Sequence, residues 1–194
     1  MRRQDEVEAV AGFPRVAGFE RAAVMAAAAW TALALGPGLD YLAAQEASDP
    51  ADVADLDAII AAYYDVISGP AGEVADRERD RSLHHPDALV GISGVDGEGQ
   101  PFLRTMSLDE YHDAFGGARQ EAFYEREIHR EARRFGNVAH VWSTYASSRE
   151  PEGEPFARGI NSIQLYHDGS RWWIMGWIFD SERQGNPIPP EYLP

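Results

Sequence analysis

The hydrophobic period of this chain changes once, after Gly116-Gly117, and that change limits the fold more than any other feature. Downstream of it apolar residues recur at a spacing of two, the period of a strand with one buried face. Four long strand candidates follow: Glu121–Phe135, Val138–Arg149, Phe156–His167 and Arg171–Ser181. Gly136-Asn137, Glu152-Gly153 and Asp168-Gly169 separate them, and pairs of this kind favour the turns of antiparallel hairpins. Strands this long exceed the usual length and must twist, so the sheet is expected to curl.

Upstream the spacing is helical. Asp49-Pro50 suits an N-cap and first helical position. Leu56, Ile59, Ile60, Tyr63, Val66 and Ile67 then fall on one helical face, which ends at Ser68-Gly69-Pro70. A charged helical stretch runs from Glu73 to His85 and stops at Pro86. Ala88 to Ile92 reads as a short strand, followed by a Gly-rich turn at Asp96-Gly97-Glu98-Gly99. Ser107 and Glu110 form a capping box for a helix that ends at Gly116-Gly117. The Pro-rich tail from Asn186 to Pro194 is expected to lie extended on the surface. These elements make an α+β domain over residues 49–194, a curved antiparallel sheet wrapped over N-terminal helices.

The last strand is apolar on both faces: Trp172, Ile174 and Ile178 oppose Trp173, Met175, Trp177 and Phe179. One face covers the helices. The other needs a cover of its own, and a homodimer through the sheet supplies it most simply.

Composition removes several kinds of chemistry. The formal net charge of −15, with no basic stripe, argues against nucleic acid and against an anionic membrane surface. There is no cysteine, hence no thiolate nucleophile and no Cys-ligated zinc. There is no lysine either: all 17 basic residues are Arg, which cannot form a Schiff base. Chemistry is left to Asp, Glu, His, Tyr, Ser, Thr and water. No cofactor is expected. No metal is expected, because no second His/carboxylate cluster stands at ligand spacing.

Residues 1–48 differ in composition from the rest. An apolar run from Ala22 to Leu35 is too short for an ordinary membrane span but suits a secretory core, with Ala32-Leu33-Ala34 as a cleavage-site match. Asp5, Glu6, Glu8 and Glu20 offset Arg2, Arg3, Arg15 and Arg21, which a signal would not need. A helical extension of a cytoplasmic protein, a start codon placed too early, and an export signal are the readings.

Four segments resemble the nuclear transport factor 2-like superfamily, and within it the bacterial polyketide-cyclase-like (SnoaL-like) branch. They are 61–73 (AAYYDVISGPAGE), 85–88 (HPDA), 136–145 (GNVAHVWSTY), and 158–165 (RGINSIQL) with 171–174 (RWWI). The resemblance implies helices followed by a curved sheet around a small pocket. It implies either a binding module or a cofactor-free isomerase, lyase or hydrolase. Ketosteroid isomerases of this fold use a Tyr on the first helix, which Tyr63 matches, and carboxylates on strands. The position where the base is expected, near Ile92, carries none.

Candidate site residues follow. Tyr63 lies mid-face on the first helix, either as a pocket donor to a ligand carbonyl or as a core phenol. Arg77, Asp80 and His84 share one helical face. Asp80 there could orient His84 as acid or base while Arg77 holds Asp80 ionised; the alternative is a solvated, ion-paired face. Asn161, polar among Ile163 and Leu165, is expected in the cavity, and Trp142 and Trp177 as its walls or as plain core. His129 reads as part of a cross-strand charge ladder, His140 is ambiguous, and His112 and His167 read as exposed. The expectation is a module binding a small apolar or cyclic molecule. The alternatives are a cofactor-free lyase, isomerase or hydrolase built on Tyr63, Asp80 and His84, and a dimerising module without ligand.

Overall fold

The computed structural model describes residues 48–194. The segment read as a signal or helical extension lies, Ser48 apart, outside the described residues.

Helix α1 spans Leu56–Ile67 and is capped by Asp55, whose carboxylate accepts from Ala58 N at 2.8 Å. The start expected at Asp49 is therefore corrected. Asp49 instead opens a turn, its carboxylate accepting from Ala51 N and its carbonyl from Asp52 N, and Val53 O in that turn accepts from Trp172 N. Helix α2 is shorter than its charged stretch, Arg77–Leu83, with Asp76 as N-cap. Its ends are withheld by pairing elsewhere: Glu73 O accepts from Arg119 N, and His84 pairs with Ile174. Helix α3, Leu108–Phe115, has the expected capping box, with both the Ser107 and Glu110 bonds present.

The sheet has six strands: β1 His84–Val95, β2 Pro101–Ser107, β3 Tyr124–Phe135, β4 Val138–Ser148, β5 Ala157–His167 and β6 Trp172–Ser181. It is curved and does not close. The order is β2-β1-β6-β5-β4-β3. Strands β3 to β6 are the four read from the sequence. β2 was not anticipated, because most of its residues are exposed and carry no alternation. The sheet is also not wholly antiparallel: β1 runs parallel to β6. Gly176 permits that pairing, since a Cβ there would sit 2.3 Å from Leu89 O.

The inner face of the sheet packs on the helices, with Ile59, Ile60, Val141, Ile163 and Ile174 fully buried between them. The outer face is covered in part by the tail. Thr144 Oγ1 donates to Tyr192 O, the Tyr192 ring lies 6.0 Å from that of Trp142, and Ile188 is buried. Leu89, Leu103 and Ile178 remain exposed.

Candidate functional site

Between the helices and the inner sheet face lies a cavity of about 250 Å³. That is slightly below the usual range for drug-sized ligands, roughly 300–1,000 Å³, so any occupant is small. Tyr63 contributes its ring from α1, Asp80 its carboxylate from α2, and Tyr111 and His112 come from α3. The sheet contributes Glu125 from β3, Tyr145 from β4, Asn161 from β5, and Trp177 and Phe179 from β6.

Tyr63 is buried, with its ring 5.2 Å from Tyr64, 6.2 Å from Trp177 and 6.3 Å from His84. Burial pushes its phenol well above the ordinary value, with neighbouring Tyr64 and Glu125 adding to the push. Its hydroxyl lines the cavity and makes no hydrogen bond among the described residues. A buried phenol normally finds a partner, so this donor is available to an occupant. Tyr111 is raised by burial in the same way.

Asp80 and His84 meet as the spacing suggested, but with other roles. His84 Nδ1 lies 2.9 Å from Asp80 O and 3.3 Å from Asp80 Oδ1, and Trp177 Nε1 donates to His84 Nε2 at 3.2 Å. Accepting at Nε2 fixes the neutral tautomer with its proton on Nδ1. Both nitrogens are thus occupied by protein. His84 stands behind the cavity wall, and the role proposed for it as acid or base is not one this geometry serves. Arg77 does not touch Asp80. Its guanidinium binds His112 O at 2.7 Å and Asp113 at 3.3 Å, outside the cavity.

The partner that Arg77 was expected to be is His112, whose Nε2 donates to Asp80 Oδ2 at 2.7 Å. His112 is buried, contrary to the exposed reading. Leu108, Tyr111, His112 and Phe115 recur at helical spacing, and that apolar face carries His112 inward. Burial alone would raise the Asp80 carboxyl. The two imidazoles override it and hold Asp80 well below the usual carboxylate range.

Asn161 is buried in the cavity wall as expected. Its Nδ2 donates to Tyr64 Oη at 3.2 Å. Tyr64 Oη lies 2.7 Å from Ser143 Oγ, which donates to Glu127 Oε1 at 2.5 Å, and Glu127 pairs with Arg130 at the surface. Because Ser143 gives its proton to a carboxylate, Tyr64 must be the donor in the middle bond. The bonds therefore run in one direction from Asn161 in the cavity wall to the Glu127 carboxylate, where Arg130 donates from the other side. Trp177 walls the cavity. Trp142 does not: one residue from buried Val141 on a strand of period two, it faces the outer groove under the tail.

Sequence reading missed Glu125. It keeps partial exposure because it fronts the cavity, yet burial still dominates and lifts its carboxyl to about 7. Ser147 Oγ, donating to Oε2 at 2.7 Å, and Asn161 limit the rise. A carboxyl poised near neutrality inside an aromatic cavity can take up and return protons at working pH. Among the described residues no group of three or more His, Asp or Glu stands where it could hold a metal.

No family model matches the chain, and no curated protein matches it. Solved structures do. A nuclear transport factor 2-like protein of unknown function from Shewanella baltica OS155 matches with 13% identity over 75% of this chain and 96% of that one, at a TM-score of 0.44. Another from Silicibacter pomeroyi DSS-3 matches with 14% identity over 66% and 94%, also at 0.44. A protein from Parabacteroides distasonis ATCC 8503, provisionally named a ketosteroid isomerase, matches with 11% identity over 66% and 87%, at 0.45. The solved structures to which this chain is similar thus include nuclear transport factor 2-like proteins, the superfamily that its sequence motifs resemble.

Proposed function

We propose that the domain binds a small, largely apolar ring compound bearing a carbonyl, and moves a proton on it without a cofactor, as an isomerase does. The observation that carries this reading is the Glu125 carboxyl, lifted to about 7 beside the unpartnered Tyr63 phenol. The two groups are close enough for Glu125 to raise Tyr63. In this scheme the ionised Glu125 takes a hydrogen from the carbon next to the carbonyl. Tyr63 donates to the carbonyl oxygen as charge gathers there, and Glu125 returns the proton to the same or a conjugated carbon. Atoms balance with no net uptake of protons. Asp80, held ionised by His112 and His84, keeps α2 and α3 in place around the cavity.

The cyclic ketone 2-tetralone serves as a probe. Its binding is expected to quench the fluorescence of Trp177, and Tyr63→Phe to weaken it by one hydrogen bond, about 1 kcal/mol in calorimetry. Absence of binding at millimolar 2-tetralone, or equal affinity for wild type and Tyr63→Phe, would count against the reading.

The exposed part of the outer face, Leu89, Leu103 and Ile178, is where a second copy would sit in the homodimer expected from the sequence. Sedimentation at micromolar concentration tests this, and a monomer there removes it.

A further inference from the structure

We infer that the ligand of this cavity is an organic acid, whose carboxylate docks on Arg119 while its ring enters the cavity; this rests on the binding reading above. Arg119 is the only Lys or Arg among the described residues that line the cavity. Its guanidinium is fixed rather than free. Nη2 donates to Ile67 O and Ser68 O, both at 3.0 Å, and Nη1 reaches Glu73 O at 3.5 Å. Every one of these partners is a backbone carbonyl, and no carboxylate among the described residues pairs with Arg119. Seven other Arg side chains among the described residues do have one: Arg77, Arg79, Arg81, Arg130, Arg149, Arg158 and Arg183 each pair with Asp or Glu.

The position of the charge is also built. Gly69 lets the guanidinium come close, as a Cβ there would meet Arg119 Nη1 at 2.7 Å. The backbone of Arg119 is tied twice to the loop after α1, through Gly72 N to Arg119 O and Arg119 N to Glu73 O. Two carbonyls at the end of α1 and that of Glu73 in the loop after it orient the fork and use only part of its five N–H groups, so Nε–H and one Nη1–H, which point in different directions, are each left for an acceptor. A carboxylate oxygen can accept from either one, and the Tyr63 and Trp177 walls take the ring. A net charge of −15 repels anions at long range, yet a fixed cation in a partly dry cavity acts at contact, where screening is least.

Calorimetry at pH 8 with 2-naphthoate and its neutral isostere 2-naphthamide tests the inference. Wild type is expected to bind naphthoate at least tenfold tighter, and Arg119→Gln to bring the ratio close to one. Equal or tighter binding of naphthamide by wild type would overturn the inference while leaving the cavity reading standing. So would a preference that survives in Arg119→Gln. Failure of both compounds and of 2-tetralone would end both. If Arg119→Gln does not fold, a crystal structure of the wild-type naphthoate complex decides: the carboxylate lies at about 3 Å from the guanidinium, or the inference is wrong.

Discussion

Glu125→Gln is expected to slow protein-dependent exchange of the 2-tetralone α-hydrogens with D2O by a hundredfold or more, within the roughly 10²–10⁴-fold that a positioned base contributes. The wild-type rate should climb as the pH passes about 7 and then level, because the base must be ionised to accept the hydrogen. Nuclear magnetic resonance follows the loss of the α-proton signal directly. A rate that is equal in wild type and variant, or flat from pH 5 to 9, removes Glu125 from the chemistry. The same carboxyl leaves a mark on stability. Its folded pKa is raised from 4.5 to about 7, so the folded state holds its proton more tightly than the unfolded chain. That contribution is fully present below the unfolded value and is lost as the pH rises through 7. Above that, ionised Glu125 costs at most about 3 kcal/mol, an upper bound because the group keeps partial exposure. Glutamine avoids this cost. The variant should therefore melt above wild type at pH 8, and close to it at pH 4.

Asp80→Ala is expected to destabilise the domain by about 3 kcal/mol at pH 7. Its carboxylate is nearly inaccessible and binds His112, whose other ring nitrogen, Nδ1, is already buried without a partner. Removing Asp80 strands the whole imidazole. It also frees His84 Nδ1 from the nearby charge and loosens α2 against α3. The sign with pH is opposite to that of Glu125. The Asp80 pKa is depressed, so its contribution is fully present above the unfolded value of 3.8 and is lost progressively as the pH falls from there through the lower folded value. Urea unfolding at pH 7 and pH 3 should show a large gap between wild type and variant at the first and a smaller one at the second. A gap below 1 kcal/mol at pH 7, or one that grows in acid, contradicts this account of the His–Asp–His cluster.

The two residues were not equally visible in the sequence. Asp80 could be found because helical spacing is local: residues three and four apart share a face whatever the fold does. Its partner His112 sits on another helix, and a helical period cannot say which two helices meet. The inward face of α3 was legible from Leu108, Tyr111 and Phe115, and His112 could have been placed from it. Glu125 was harder. Tyr124 to Arg134 is mostly charged, and which side of β3 turns inward depends on the irregularity between Glu127 and His129, where the register with β4 shifts. The hairpins β3–β4–β5–β6 were readable from turn residues and a period of two. The β1–β6 pairing joins segments far apart in sequence and has no local signature beyond Gly176. Trp142 was misplaced because β4 carries large apolar residues on both faces, and the tail that covers the outer one is distant in sequence.

The strand order has a consequence for how the protein is made. β6 is the last of the described strands in chain order, and so is made after the other five, yet it lies in the middle of the sheet, between β1 and β5. The nascent chain can close its β1–β2 and β3–β4–β5 hairpins early, but these remain two separate ribbons. Until β6 arrives, β1 and β5 each offer an unpaired inner edge backed by apolar side chains, the kind of surface that self-associates. Completion then requires a parallel, long-range insertion, among the slower steps available to a small domain. A chain stalled before β6 is therefore left with a sheet that lacks its centre rather than an edge, and with two open edges exposed at once.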